Sequence, residues 1–159
     1  MEYVGNFSEY IKDEWNEEIL ALPREWPVCF KGTPEYTRLI DAGYDLNASN
    51  WSVIDPEDIN FKIDFPFMGD DPQWWVARLF PGQYMPMHID PHPSEKTGKF
   101  YWIPLQDYQP GHIFIINDEL ITDYKKGDAY IFDNLADPHC AANIGYGDPK
   151  TTLIVCVYD

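Results

Sequence analysis

Gly111-His112-Ile113-Phe114-Ile115-Ile116-Asn117-Asp118-Glu119-Leu120-Ile121-Thr122 decides the fold class. β-Branched and aromatic residues fill one arm and begin the other. Asn117-Asp118 lies between them, and Asn and Asp tolerate the positive φ that a two-residue turn demands, so the stretch predicts a β-hairpin. The same texture repeats outward from it. Upstream, Trp74 to Phe80 predicts a strand stopped by Pro81-Gly82. Met85 to Asp90 predicts another, stopped by Pro91 and Pro93, and Phe100 to Leu105 a third. Downstream, Lys125-Lys126-Gly127 turns the chain into Asp128 to Asp133, a short strand covers 139–144, and Thr151 to Tyr158 is a final β-rich run. About eight short strands without helical crossovers predict a double-sheet jelly roll or similar sandwich and argue against a parallel α/β sheet.

The first 71 residues read differently. Phe7, Ile11 and Trp15 recur at helical spacing, with Ile19 and Leu20 continuing the face, so a helix is expected over Phe7 to Leu20. A second is expected to open at Thr33-Pro34-Glu35, run to Ala42 and stop at Gly43. The turn- and proline-rich stretch from Asn47 to Asp71 leaves room for one or two short strands. The whole is expected to be a single domain over 1–159, mainly β, with a helical and irregular extension at 1–71 and a jelly-roll core at 72–159. Aromatic residues make up 16% of the chain, enough to fill a wide barrel.

Charge and cysteine usage exclude several classes. The formal net charge of −16, from 27 acidic against 11 basic residues, repels phosphates at long range, so neither nucleic acid nor a membrane surface is an expected partner. No apolar run approaches the roughly 18 residues of a membrane helix. Met1-Glu2-Tyr3-Val4 lacks a secretory start, and a soluble, cytoplasmic protein is expected. Cys29, Cys140 and Cys156 are odd in number and widely spaced, which fits reduced thiols rather than a zinc cluster or disulfide framework.

The chain has four histidines, His88, His92, His112 and His139. In His88-Ile89-Asp90 the strand period projects an imidazole and a carboxylate from one face. His139 follows later, reached through Tyr130-Ile131-Phe132. Two histidines and one carboxylate suit non-haem Fe(II), because they leave positions for a co-substrate and dioxygen. Structural zinc prefers a closed, often cysteine-rich site. The plainer reading of His88 and Asp90 is a hydrogen-bonded surface pair, and the residues alone leave both open. His92 sits in a proline-rich loop, either exposed or at the mouth of a site. His112 receives no role. Arg78 either lines the barrel or forms an edge ion pair.

From Trp74 to Asp159 the order of strands and ligands resembles the 2-oxoglutarate/Fe(II)-dependent dioxygenases. The likeness rests on His88-Ile89-Asp90, His139, and a basic residue at the start of the last strand, Lys150. Phe80-Pro81-Gly82, Gly127 to Asp133 and His139-Cys140-Ala141-Ala142-Asn143 are similar to the prolyl hydroxylase and aspartyl/asparaginyl β-hydroxylase branches. The resemblance implies a cupin-like double-stranded β-helix that binds Fe(II) through His88, Asp90 and His139. It implies that 2-oxoglutarate is held by Lys150 with Thr152, and that O2 drives hydroxylation with release of succinate and CO2. Lys150 stands where Arg is commoner, and a point charge replaces a fork. Lys99, with Tyr101 two positions on, is the alternative anchor, and Asn143 a further contact. The primary substrate is unassigned: a Pro, Asn or Asp side chain, a free amino acid or another small metabolite. The competing class is a non-catalytic jelly-roll binding or structural module.

Overall fold

Short strands that change sheets at nearly every turn build the molecule. The computed structural model describes residues 1–23, 32–45, 51–89, 98–133 and 136–158. In chain order these contain β1 (Glu2–Asn6), α1 (Glu14–Ala21), α2 (Pro34–Asp41), β2 (Ser52–Ile54), β3 (Gln73–Leu79), β4 (Tyr84–His88) and β5 (Gly98–Pro104). There follow β6 (His112–Ile116), β7 (Glu119–Leu120), β8 (Asp128–Phe132), β9 (His139–Asn143) and β10 (Lys150–Tyr158). A six-stranded sheet runs β1-β8-β5-β10-β3-β2 and a four-stranded sheet runs β4-β9-β6-β7, with antiparallel pairing throughout. From β3 onward the chain alternates: β3 large sheet, β4 small, β5 large, β6 and β7 small, β8 large, β9 small, β10 large. That is a double-stranded β-helix, the jelly roll expected from the strand spacing.

Turn chemistry sets the local register. Asn117 and Asp118 carry φ of 50° and 63° between β6 and β7, so the hairpin turns where the sequence places it. Pro81-Gly82 reverses the chain between β3 and β4, with Gly82 at φ 87°. In β4 a register shift between Met85 and His88 lets Met85 pack against the inner core while His88, three residues on, is buried opposite His139.

Residues 1–71 do more than extend the core. β1 pairs with β8 and β2 with β3, so this region supplies both edges of the large sheet. The β1 residues are mostly exposed, and without apolar alternation the strand left no signal. The first helix is shorter than its periodicity predicts. A 3-10 turn covers Ser8–Tyr10, Ile11 is extended, and α1 begins at Glu14. α2 matches the expectation: the Thr33 hydroxyl accepts from the Tyr36 N–H at 3.2 Å, and Gly43 beyond the end takes φ 95°.

The large sheet is covered on both faces. Its inner face, turned to the small sheet, carries Leu79, Phe100, Trp102 and Ile154 against Phe114, Ile116 and Ala141. Its outer face carries Val76, Ile103, Leu153 and Val155 beneath Ile11, Trp15 and Ile19. Burying each large apolar side chain contributes roughly 1.5–3 kcal/mol. Both faces of β10 are therefore buried from Lys150 to Cys156, which explains its nearly unbroken β-branched run. Among the described residues, no helix is long and apolar enough to cross a membrane.

Candidate metal and anion site

His88 ends β4, His139 begins β9, and the two face each other in register. Both are buried, and their ring centroids lie 4.5 Å apart. Each ring is oriented by its own chain: His88 Nδ1 lies 2.6 Å from the Pro86 carbonyl and His139 Nδ1 2.9 Å from the Asp137 carbonyl. A carbonyl only accepts, so each Nδ1 carries the proton and donates it. With Nδ1–H so committed, Nε2 is the nitrogen through which each ring could bind a metal. Phe132 and Phe114 wall the pair, with ring centroids 5.3 and 6.4 Å from His139. Two adjacent imidazoles held as Nδ1–H tautomers fit a divalent ion with open positions. Asp90, the expected third ligand, and His92 lie outside the described residues, as does Cys29. Among the described residues no group of three or more His, Cys, Asp or Glu could hold a metal.

Lys150 enters the same interior from the opposite sheet. It opens β10 across from Leu79, and only 1% of its surface is exposed. Its Nζ donates to Thr152 Oγ1 at 3.2 Å, the same-face neighbour two positions on. It also lies 5.3 Å from the centre of the Trp102 ring and 5.7 Å from that of Phe114. Burial alone lowers its pKa from 10.5 to about 7. Phe114 is thus the common neighbour of the Lys150 ammonium and the His139 ring.

Other residues singled out in the sequence are placed differently. Tyr101 is on the outer face of the large sheet, its ring stacked 4.0 Å from Phe67. Lys99 shares the strand phase of Tyr101 and is exposed. Neither reaches the barrel interior, because the alternation of β5 sends Phe100 and Trp102 there instead. Asn143 is buried, but its amide is spent on backbone: Nδ2 donates to the Leu79 and Asp148 carbonyls at 3.1 and 3.0 Å, and Oδ1 accepts from the Gly145 N–H at 3.1 Å. It is a strut between sheets rather than a ligand contact. Arg78 does not line the barrel, and among the described residues it forms no ion pair. It points outward and closes the end of α1, donating to the carbonyls of Ile19, Leu22 and Pro23 and to the Ser52 hydroxyl.

One residue given no role belongs in the interior. His112 is 2% exposed and shares its face of β6 with Phe114 and Ile116. Its Nε2–H donates to the Asp148 carbonyl at 3.0 Å, leaving Nδ1 buried and unpartnered. Burial lowers its pKa, and the charge of Lys150 lowers it further. The alternation in His112-Ile113-Phe114-Ile115-Ile116 was the available signal. Cys140 is half-buried and Cys156 buried, with both thiols pushed up by burial, so neither is an activated nucleophile.

No family model matches the chain, and no curated protein matches it. Its likeness is to solved β-helix barrels. An uncharacterized conserved protein with a double-stranded β-helix domain from Klebsiella pneumoniae aligns over 58% of this chain and 71% of its own, at 23% identity and a TM-score of 0.41. A cupin 2 conserved barrel domain protein from Salinispora arenicola aligns over 69% and 76%, at 11% identity and a TM-score of 0.44. An RmlC-like cupin family protein from Methanocaldococcus jannaschii aligns over 72% and 86%, at 15% identity and a TM-score of 0.44. These likenesses concern the barrel alone, and the assignment of the fold rests on the sheet order and register above.

Proposed function

We propose that this barrel is a 2-oxoglutarate-dependent, Fe(II) dioxygenase that hydroxylates a protein side chain, a free amino acid or another small metabolite. The observation that carries the reading is Lys150. A fully buried ammonium with one hydroxyl and two ring faces around it is costly to an inert core and useful to a site that receives an anion. In this reading His88, Asp90 and His139 hold the metal, and bound Fe(II) supplies the redox chemistry that couples decarboxylation of 2-oxoglutarate to substrate hydroxylation by O2. Lys150, steadied by Thr152, grips the distal carboxylate. The Pro86 and Asp137 carbonyls keep the imidazoles in the ligating tautomer. Phe114, Phe132 and Trp102 exclude water between the two ends of the co-substrate, which strengthens the charge pairing.

The non-catalytic module is the weaker reading: a structural module gives Lys150 nothing to bind, and a binding module for an anion leaves the facing imidazoles of His88 and His139 without a role. The two separate in an uncoupled assay with Fe(II), ascorbate and air. Stoichiometric conversion of 2-oxoglutarate to succinate, lost in His139→Ala, is the expected result. No succinate above the metal-only background would overturn the proposal.

A further inference from the structure

Lys150 and His112 enter the barrel at the same end. His112 pairs with Asn143, four residues along β9 from His139, or about 13 Å at the rise of an antiparallel strand. The Asp148 carbonyl just before β10 accepts from both His112 and Asn143, tying this end together. Gly111, at φ 96°, lies so close to Gly145 that any Cβ there would collide with its backbone.

The charged and titratable groups around Lys150 are few. On its own strand it has Thr152, on β3 Leu79, on β5 Trp102, and on β6 His112 and Phe114. On β9 the neutral amide of Asn143 is committed to backbone, and the Asp148 carboxylate accepts from Gln109 Nε2 at 3.0 Å. Tyr124 stands edge-on to Trp102, 5.2 Å between centroids, with a buried hydroxyl lacking a partner and held protonated by burial. Arg78 leaves the sheet on the other face. Among the described residues, no carboxylate forms an ion pair with Nζ.

We propose that this end of the barrel is a proton-coupled carboxylate seat. Lys150 gives up its proton when the barrel is empty and recovers one from solvent as a ligand carboxylate arrives. The inference rests on the dioxygenase reading and adds how the co-substrate is admitted. A carboxylate beside Nζ supplies a counter-charge that no described residue provides, so the protonated amine is favoured in the complex. The depressed pKa of Lys150 agrees with this. Burial and Lys150 disfavour the His112 cation against the opposing pull of Asp148, so the proton is assigned to Lys150. The neutral Nδ1 is a buried acceptor without a partner at the same end of the barrel.

Calorimetric titration of the Mn(II)-loaded protein with 2-oxoglutarate at pH 8, in phosphate and in Tris, counts the protons. Both carboxyls of the ligand are ionised there, so any proton taken up goes to the protein. The expected result is an uptake approaching one proton per ligand, with Kd rising about tenfold per pH unit above pH 8. Lys150→Arg, which keeps its charge, should bind with no such pH dependence. If that variant does not fold, the wild-type proton count still decides. Binding without proton uptake would overturn this inference and leave the dioxygenase reading standing. No binding from pH 6 to 9 would overturn both.

Discussion

The two faces of the large sheet are equally buried and chemically unlike. On the outer face polar groups are mostly matched: Arg78 makes four hydrogen bonds through its terminal nitrogens and leaves only Nε without a partner, and the Thr151 hydroxyl bonds Asn16 and Gln106. On the inner face they are less so. Lys150 has one hydroxyl, His112 Nδ1 has no partner, and the Tyr124 hydroxyl has none. Two buried basic side chains, Arg78 and Lys150, therefore mean different things. The first closes a helix end and holds the fold together. The second is under-satisfied, and a fold keeps such a group where a ligand completes it.

The largest expected effect lies on the inner face. His88→Ala or His139→Ala removes one of two adjacent imidazoles, and retained Fe(II) and 2-oxoglutarate turnover should fall by about 100-fold or more, read by metal analysis and succinate assay. The thermal midpoint should move little by comparison.

Lys150→Met separates function from stability. Affinity for 2-oxoglutarate should drop by about 10- to 100-fold, since a charge-assisted contact is lost. Stability near neutral pH should be unchanged or higher, because a buried charge is replaced by an apolar chain of similar length. The pH profile supplies a sign. The folded pKa is lowered from 10.5 to about 7, so between those values the unfolded chain binds more protons. This group's penalty is thus fully present below about pH 7 and is relieved as pH rises toward 10.5. Denaturant titrations should show that rise in the wild type relative to Lys150→Met. A variant clearly less stable at pH 7 would make Lys150 a structural group like Arg78.

Arg78→Met should do the reverse. It orphans the α1 carbonyls and should cost about 3 kcal/mol, lowering the midpoint by roughly 6–12 °C, while the folded fraction keeps its affinity for 2-oxoglutarate. The smallest effect should come from Lys99→Ala, which changes an exposed side chain on the outer face. Its affinity should stay within about twofold of wild type, and a larger loss would return the anchor to β5.

How much was legible in the sequence follows from the same division. The jelly roll could be read because turn residues such as Asn117-Asp118 and Pro81-Gly82 punctuate strands at even spacing. Period-two alternation placed Thr152 beside Lys150. Alternation does not say which of two buried faces is the interior when both are apolar. Lys99 and Tyr101 therefore remained an alternative anchor until the helix over the outer face was seen, and Arg78 was ambiguous for the same reason. His112 carried its signal in the phase of Phe114 and Ile116, but one buried histidine among apolar residues does not announce an unpartnered nitrogen. β1 was silent because an exposed edge strand needs no apolar pattern.

The central claim is that the inner face binds Fe(II) and 2-oxoglutarate together. The direct measurement is an anaerobic titration of the metal-free protein with Fe(II) and then 2-oxoglutarate, followed in the visible spectrum. A weak charge-transfer band that requires both additions, and that is absent in His88→Ala, is the expected result. Absence of the band, with no iron retained after desalting, would contradict the account and leave a jelly-roll module whose buried lysine serves some other anion.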